Sequence, residues 1–292
     1  MNVKAWLSQQ TNMATSIFHS GRYCDTWKAS TFGTGLPSFH VVLDGFCWLN
    51  FSDSNKRIRL EEGDIVFFFF NLPFYLTSEA STNVNFIPKK TMYSIKEKKE
   101  GDTALLCGFL HPKGIEAEIL FTLLPEYIII NKDIQANEKI TQLISMLKLE
   151  TNDSCELALT RITDLLLIYV VEQLIDEYLV DVNLLKLSQH KDFARLLIEI
   201  MYNPAQEWSL EIMADKMNMS RSTFIRKLDY ICGLSSNLLI TKLRINIAVN
   251  LLRRGYNADD VAFKIGYKST VGFYKAFKKI TLRSPSNFLR EI

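Results

Sequence analysis

The feature that most constrains this chain is a repeat near its carboxyl end. Residues 210–228 read LEIMADKMNMSRSTFIRKL and residues 257–280 read NADDVAFKIGYKSTVGFYKAFKKI. Ala214 matches Ala262 and Met217 matches Ile265; after a one-residue shift Ser220 matches Ser269, Phe224 matches Phe273 and Leu228 matches Phe277. Each copy has a helical period, a break and a second helical period. The break needs a residue that tolerates positive φ. Gly266 provides it in the second copy because it has no Cβ, and Asn218, the next most tolerant type, stands there in the first. Ser220 and Ser269 precede the second helices, where a hydroxyl can accept from the orphan amides of the first turn. Asn257 can cap the first helix of the second copy, with Asp259 and Asp260 placed favourably against its dipole. The pattern predicts two helix-turn-helix units joined by one amphipathic helix, Ser236 to Arg254.

The second helix of each unit divides by face. Phe224, Leu228 and Ile231 share one side, as do Phe273, Phe277 and Ile280, and these are the expected core. The opposite sides carry Ser222, Ile225 and Arg226 in one copy, and Thr270, Val271, Tyr274, Lys275 and Lys278 in the other. A helix about 12 Å wide fits the DNA major groove, so such a face can meet base edges and phosphates. The charge distribution points the same way. Of 34 basic and 32 acidic residues, 15 and 6 lie from Ser209 onward, a net +9, which leaves 19 and 26 elsewhere, a net −7. A basic third on an acidic body suggests a polyanionic partner. Charge alone would equally suit a solvated basic surface; two hairpins in register on that segment favour DNA.

These residues carry a resemblance to a known family. MADKMNMSRSTFIRKL, ITKLRINIAVNLLRRG and VAFKIGYKSTVGFYKAFKK with the later SPSNF resemble the first unit, linking helix and second unit of the DNA-binding domain of AraC/XylS-family bacterial transcription regulators. The resemblance implies two recognition helices entering successive major grooves of one site. Carried over, the base-facing positions are Ser222, Ile225 and Arg226, then Thr270, Val271, Tyr274 and Lys275. It also implies double-stranded promoter DNA and RNA polymerase as partners, and activation as the mode of control. Two departures stand out: Ser236 replaces the usual Pro after the first unit, and Leu282 the usual Gly before Ser284-Pro285. Apolar Ile225 and Val271 at reading positions suit thymine methyls better than hydrogen bonding.

The rest of the chain reads differently. With 48% hydrophobic residues in 292, there is enough apolar material for two separate cores. SFHVVLDGFCWLNF suggests a hairpin at Asp44-Gly45, and RIRLEEGDIVFFFF another at Glu62-Gly63-Asp64. TALLCGFL and EYIII are further strands, with no helical period between them. Residues 1–131 are therefore expected to form a β-barrel or sandwich, with helices following. Ile140, Leu143, Ile144 and Leu147 give an amphipathic helix. Leu157 to Leu179 gives a longer one that is apolar on more than one face around Leu165 to Val171. It should be buried on two sides, either within the chain or against a second subunit of a homodimer. The expected domains are a β domain over 1–131, a helical dimerisation and linker segment over 132–185, and the double helix-turn-helix over 192–292, with VDVNLLKLSQHK at the junction.

PSFHVVLDGFCWL and LEEGDIVFFF resemble the cupin-like ligand domains found on some of these regulators. Many cupins are metalloenzymes, so a cupin-type enzyme with a helical interaction domain is the alternative reading, and a non-specific architectural DNA protein a third. Metal needs clustered ligands, yet the histidines, at 19, 40, 111 and 190, are scattered. Where related domains carry His after the GDIV strand, this chain has Phe70 and Phe74, which leaves His40 alone. No metal, cofactor or catalytic residue is expected. Phe39, Trp48, Phe67, Phe69 and Tyr75 are candidates to line a site for a small apolar effector; the alternative is that they fill the core. Cys232, which an alkyl-accepting repair protein would need activated, reads as core at a helix end. The five cysteines are odd in number and form no C-x-x-C pair, the amino terminus lacks a signal-peptide pattern, and no apolar run is long enough to span a bilayer. A cytoplasmic protein with no membrane partner is expected.

Overall fold

The computed structural model describes residues 13–52, 56–79, 91–131, 138–153, 156–177 and 181–291. The chain divides into two compact units: Met1–Lys113 with Leu124–Leu179, and Gly114–Leu123 with Val180–Ile292.

The first unit is a two-sheet sandwich with helices. Its strands are β1 (Met13–Cys24), β2 (Lys28–Ala29), β3 (Ser38–Asp44), β4 (Phe46–Phe51), β5 (Arg57–Glu61), β6 (Ile65–Phe68), β7 (Phe74–Thr77), β8 (Thr91–Tyr93), β9 (Thr103–Pro112) and β10 (Tyr127–Ile130). The larger sheet runs β10-β6-β3-β9-β1-β8 and the smaller β2-β7-β4-β5. Their inner faces bury Trp27, Val42, Leu49, Leu60, Phe68, Phe74, Leu76 and Leu105 against one another. Phe68 stacks on Phe74 at 3.7 Å between ring centroids.

The two expected hairpins are not hairpins. β3 pairs with β6 and β9, whereas β4 pairs with β5 and β7. Asp44-Gly45 is a corner that carries the chain from one sheet to the other, and Glu62-Gly63-Asp64 carries it back. Both turns are tight, as their composition demands, but each feeds a strand into the opposite layer. At the first corner Gly45 has φ +76°, and a Cβ there would lie 2.5 Å from the Asp102 carbonyl oxygen, so only glycine fits. At the second, Gly63 N donates to Val42 O at 2.8 Å and Val42 N to Asp64 O at 3.0 Å, tying the turn to β3.

Helix α1 (Ile115–Leu123) lies between β9 and β10 in sequence, where no helix was expected. Its sequence, IEAEILFTL, carries Glu116 and Glu118 two positions apart rather than at a helical spacing, so no period marks it. It belongs to the second unit and packs there. Helices α2 (Glu138–Asp153) and α3 (Glu156–Asp176) follow in the first unit. Ile140, Leu143, Ile144 and Leu147 are buried as the period requires. α3 is covered on two sides within the unit, by α2 and by β1. Thr15 N and Oγ1 of β1 donate to Asp164 Oδ1 at 2.7 and 2.8 Å. Leu166, Leu167, Val170 and Val171 are therefore core, while Leu157 and Leu165 face outward. The expected last turn, through Leu179, and the amino-terminal residues 1–12 lie outside the described residues, as does Cys155. Cys24, Cys47, Cys107 and Cys232 form no disulfide with one another.

The remainder of the second unit is helix and turn: α4 (Val182–Ser188), α5 (Lys191–Tyr202), α6 (Leu210–Lys216), α7 (Arg221–Cys232), α8 (Ser236–Arg253), α9 (Ala258–Lys264), α10 (Thr270–Thr281) and α11 (Pro285–Glu291). The junction segment VDVNLLKLSQHK forms α4, whose N-cap Asp181 accepts from Asn183 N. Phe193 of α5 packs its ring 5.7 Å from that of Phe224 in α7. A second cluster holds Ile245, Ala248 and Leu252 of α8 against Val261, Ala262, Ile265, Phe273 and Phe277.

Candidate nucleic-acid interface

The repeat seen in the sequence is a repeat of hydrogen bonds. In the first hairpin Met219 N donates to Ala214 O at 2.9 Å, and in the second Tyr267 N donates to Ala262 O at 2.9 Å. Both close the turn around a left-handed residue, Asn218 at φ +52° and Gly266 at φ +90°. Ser220 Oγ accepts from Thr223 N at 3.3 Å and Ser269 Oγ from Gly272 N at 3.2 Å, capping α7 and α10. Asn257 Oδ1 accepts from Asp259 N at 2.8 Å and caps α9. Each cap satisfies a donor that would otherwise need water, and so fixes where the second helix begins.

The faces of α7 and α10 separate as the period implies. Phe224, Leu228, Phe273 and Phe277 are fully buried, with Ile231 and Ile280 half-buried. Ser222, Arg226, Lys275 and Lys278 are exposed. Ile225 is 48% and Val271 63% exposed, so two β-branched apolar side chains stand in water on these helices. Thr270 and Tyr274 are half-buried, and the Tyr274 ring meets Phe273 edge-on at 5.7 Å. Two exposed cations at the entries of these helices escaped the sequence reading, Arg221 and Lys268. Arg221 Nη1 donates to Glu211 Oε1 at 2.8 Å and holds that carboxyl below its ordinary pKa. Their signal was their place: each flanks an N-cap serine. Cys232 is buried at the end of α7, donates to Leu228 O at 3.1 Å, and has its thiol pKa pushed up by burial. It is a thiol in a core, not an activated thiolate.

In the first unit the five aromatic candidates do not form one site. Phe39, Phe67 and Phe69 are buried together on the larger sheet, with ring centroids 6.0 Å apart for both the Phe39–Phe67 and Phe67–Phe69 pairs. Trp48 and Tyr75 lie on the smaller sheet and are half-buried. Period-two alternation is the reason. The inner faces are taken by the neighbours of these residues, Phe68, Leu49, Phe74 and Leu76, so all five point away from the space between the sheets. Phe39 covers Gly108, where a Cβ would come within 2.3 Å of its ring.

His40 does point inward. It is 3% exposed, with Phe68 and Phe74 presented edge-on at 5.9 and 5.5 Å. Its Nε2 is 3.5 Å from Ser38 Oγ, at the limit of a hydrogen bond, and its Nδ1 has no partner. Burial, and secondarily the charge of His19, pushes its pKa down to about 3. Phe74 stands beside it as aromatic carbon, Phe70 packs against the core cluster, and His111 is engaged elsewhere, 2.7 Å from Ser16 Oγ. Among the described residues no group of three or more His, Cys, Asp or Glu side chains is placed to hold a metal ion.

The cupin family model matches residues 9–176, more than half of the chain, and a helix-turn-helix domain model matches residues 213–291. The chain belongs to the AraC/XylS family of transcription regulators, with a cupin domain at its amino end. This AraC-type chain is 27% identical over 264 residues to an uncharacterized HTH-type transcriptional regulator of Haemophilus influenzae, across 88% of this chain and 87% of that one. It is 26% identical over 264 residues to the HTH-type transcriptional regulator MtrA of Neisseria gonorrhoeae, across 86% and 85%. It is 24% identical over 202 residues to the RCS-specific transcriptional activator RclR of Escherichia coli, across 67% and 70%. The AraC-type regulator is a sequence-specific DNA-binding protein that controls transcription. No helix among its described residues is long and apolar enough to cross a membrane.

Proposed function

We propose that this regulator grips promoter DNA with α7 and α10 in successive major grooves, and that Ser222, Ile225, Arg226, Thr270, Val271, Tyr274, Lys275 and Lys278 form the contact surface. The observation that carries the reading is the division of both helices into a buried aromatic and aliphatic face and an exposed face of short polar, cationic and β-branched residues. Leaving Ile225 and Val271 in water costs the free protein apolar exposure. Contact with thymine methyls in the groove removes that exposure and favours A·T-containing positions. Arg226 stands within the first two turns of α7, where a fork of donors can meet guanine O6 and N7. Lys275 and Lys278 serve phosphates.

The protein acts as an activator through RNA polymerase, in the cytoplasm, and the cupin unit supplies sensing and homodimerisation rather than catalysis. RclR, an activator by name, supports the first point. The outward apolar residues Leu157 and Leu165 on α3, with Met146 and Leu149 on α2, support the dimer. The domain reading keeps a β domain, a helical dimerisation segment and the double helix-turn-helix. An effector, if the cupin unit takes one, is recognised by apolar contact.

Selection of bound duplexes from random DNA tests the reading. Arg226→Ala should lose roughly 1–3 kcal/mol of discrimination at one position of the selected site. A variant that binds and discriminates as the parent does removes α7 from the contact. Metal analysis and chelation on the same sample separate this reading from a cupin enzyme: a stoichiometric metal whose removal abolishes DNA binding would overturn it.

A further inference from the structure

Arg244, midway along α8, touches the bend of the second hairpin and the loop that leads into the first. Its Nε donates to Pro204 O at 2.9 Å and its Nη2 to Gln206 O at 3.1 Å, both in the loop that leads into α6. Its guanidinium carbon lies 5.8 Å from the ring centroid of Tyr267, which follows the bend of the second hairpin. Gly266 closes the junction. A Cβ there would fall 2.7 Å from Arg244 Nη2, 2.8 Å from Ala205 Cα and 3.0 Å from Pro204 O. The bend of the second hairpin thus rests directly on the loop that enters the first.

Several facts make this contact a clamp rather than incidental packing. Arg244 is half-buried, and burial pulls its pKa down against the opposing influence of Tyr267. Its recorded partners are carbonyl oxygens, and among the described residues no carboxylate pairs with it. A cation half out of water without a counter-ion is costly unless its donors are well used, and the rigid guanidinium fork suits two carbonyls of one loop. Beside it runs an open cleft of ≈ 390 Å³ bordered by Trp208, Asn237 and Lys268. The Arg244 bonds therefore add a polar tie, at the edge of that cleft, to the apolar packing that already holds α8 against the second hairpin.

We propose that Arg244 is a positioning residue for DNA readout: it fixes the angle and separation of α7 and α10 and thereby sets the spacing accepted between the two boxes of the DNA site. This rests on the two-helix reading proposed above. Adding one base pair turns the second box by about 35° and shifts it by about 3.4 Å. A rigid pair of helices cannot follow, so the second contact is lost; a loosened pair can.

The test uses full-length protein and the duplex obtained by random selection, with its spacer unchanged, lengthened or shortened by one base pair. The parent should lose roughly 30-fold in affinity on either altered spacer, because one of two linked contacts is forfeited. Arg244→Ala should bind the native spacer roughly tenfold more weakly and distinguish the three spacers by less than about threefold. Arg244→Lys keeps the charge but not the fork, and should behave like Arg244→Ala. It also serves in its place should the alanine variant fail to fold by circular dichroism. Gly266→Ala approaches the same contact from the other side and should flatten the same preference. A variant that folds and retains the parent's steep spacing preference, at whatever affinity, overturns the clamp while leaving the two-helix reading intact. A parent that selects no two-box site, or binds all spacers alike, overturns that reading and the clamp together.

Discussion

Acid should unfold the cupin unit through His40. An imidazole in an unfolded chain titrates near about 6.5, whereas His40 in the sandwich has its pKa at about 3. Below pH ~6.5 the unfolded chain takes up a proton that the folded one refuses until pH ~3. The sign follows. The contribution of this group to stability is fully present above its unfolded pKa and is lost as pH falls from there toward 3. At 1.36 kcal/mol per pH unit the loss is about 2 kcal/mol by pH 5 and about 4–5 kcal/mol by pH 3. Even the smaller figure is a large part of a domain stability of about 5–15 kcal/mol. The physical cause is the aromatic surroundings. Phe68 and Phe74 offer the ring no acceptor, and Nδ1 is already without one, so a second N–H would be buried unpaired. Urea titrations near pH 7.5 and pH 5, read by hydrogen exchange of β3 and β9 peptides, isolate this unit. Acidic groups titrate in the same range, so the decisive quantity is the difference between the parent and His40→Leu, which cannot protonate. The parent should lose about 2 kcal/mol more than the variant between the two pH values. Equal losses would mean that His40 reaches water or a partner when protonated, and the buried-imidazole argument would fail.

Other expectations follow from the second unit. Lys275→Ala and Lys278→Ala should each weaken binding evenly across DNA sequences and lower the slope of log K against log salt by about 1, as measured by titration at several salt concentrations; a change confined to one sequence would make either lysine a base contact. Leu282→Gly should raise stability by about 0.5–1 kcal/mol in thermal melts, because Leu282 holds φ +62° with its side chain 84% exposed and so gains little from being leucine. Phe277→Ala should cost about 3–5 kcal/mol, since its buried ring packs on Phe273 at 5.5 Å and Phe288 at 5.7 Å; Arg226→Ala, on the exposed face of α7, should leave the melting temperature unchanged.

The helical half of this protein was legible because its signals are local. A serine before an apolar period, a glycine or asparagine at a break, and an apolar residue every third or fourth position each act within a single turn of helix. Ser220, Ser269, Asn218 and Gly266 accordingly stand in the structure as the sequence implies. The β half was legible only as strands. A strand does not record which strand lies beside it, and Asp44-Gly45 specifies a tight reversal without specifying that the reversal stays in one sheet. Here the chain crosses to the opposite layer at both Gly45 and Gly63. The same ambiguity misplaced the aromatic candidates. In β3 and β6 both faces are buried, so the run from Ile65 to Phe69 contains no polar residue to reveal which rings face inward. α1 was missed for a related reason: in IEAEILFTL the acidic residues Glu116 and Glu118 stand two positions apart rather than at a helical spacing, so a short apolar stretch shows no period.

The junction between the two hairpins shows where local reading ends. Gly266 could be assigned its positive φ from the break in period alone, which explains why a glycine is tolerated there. It does not explain why asparagine, adequate at Asn218, would not serve equally well. The structure supplies the difference. Any Cβ on residue 266 would press on Pro204 and Ala205, more than sixty positions earlier in the chain, and on Arg244 between them. Arg244 itself looks like one more cation on an amphipathic helix. Its consequence comes from two carbonyl oxygens that only the folded chain brings within reach. Two hairpins of the same design thus differ at the bend, where the second needs a glycine to rest on the loop that enters the first, and that contact makes a pair of recognition helices into a measure of DNA spacing.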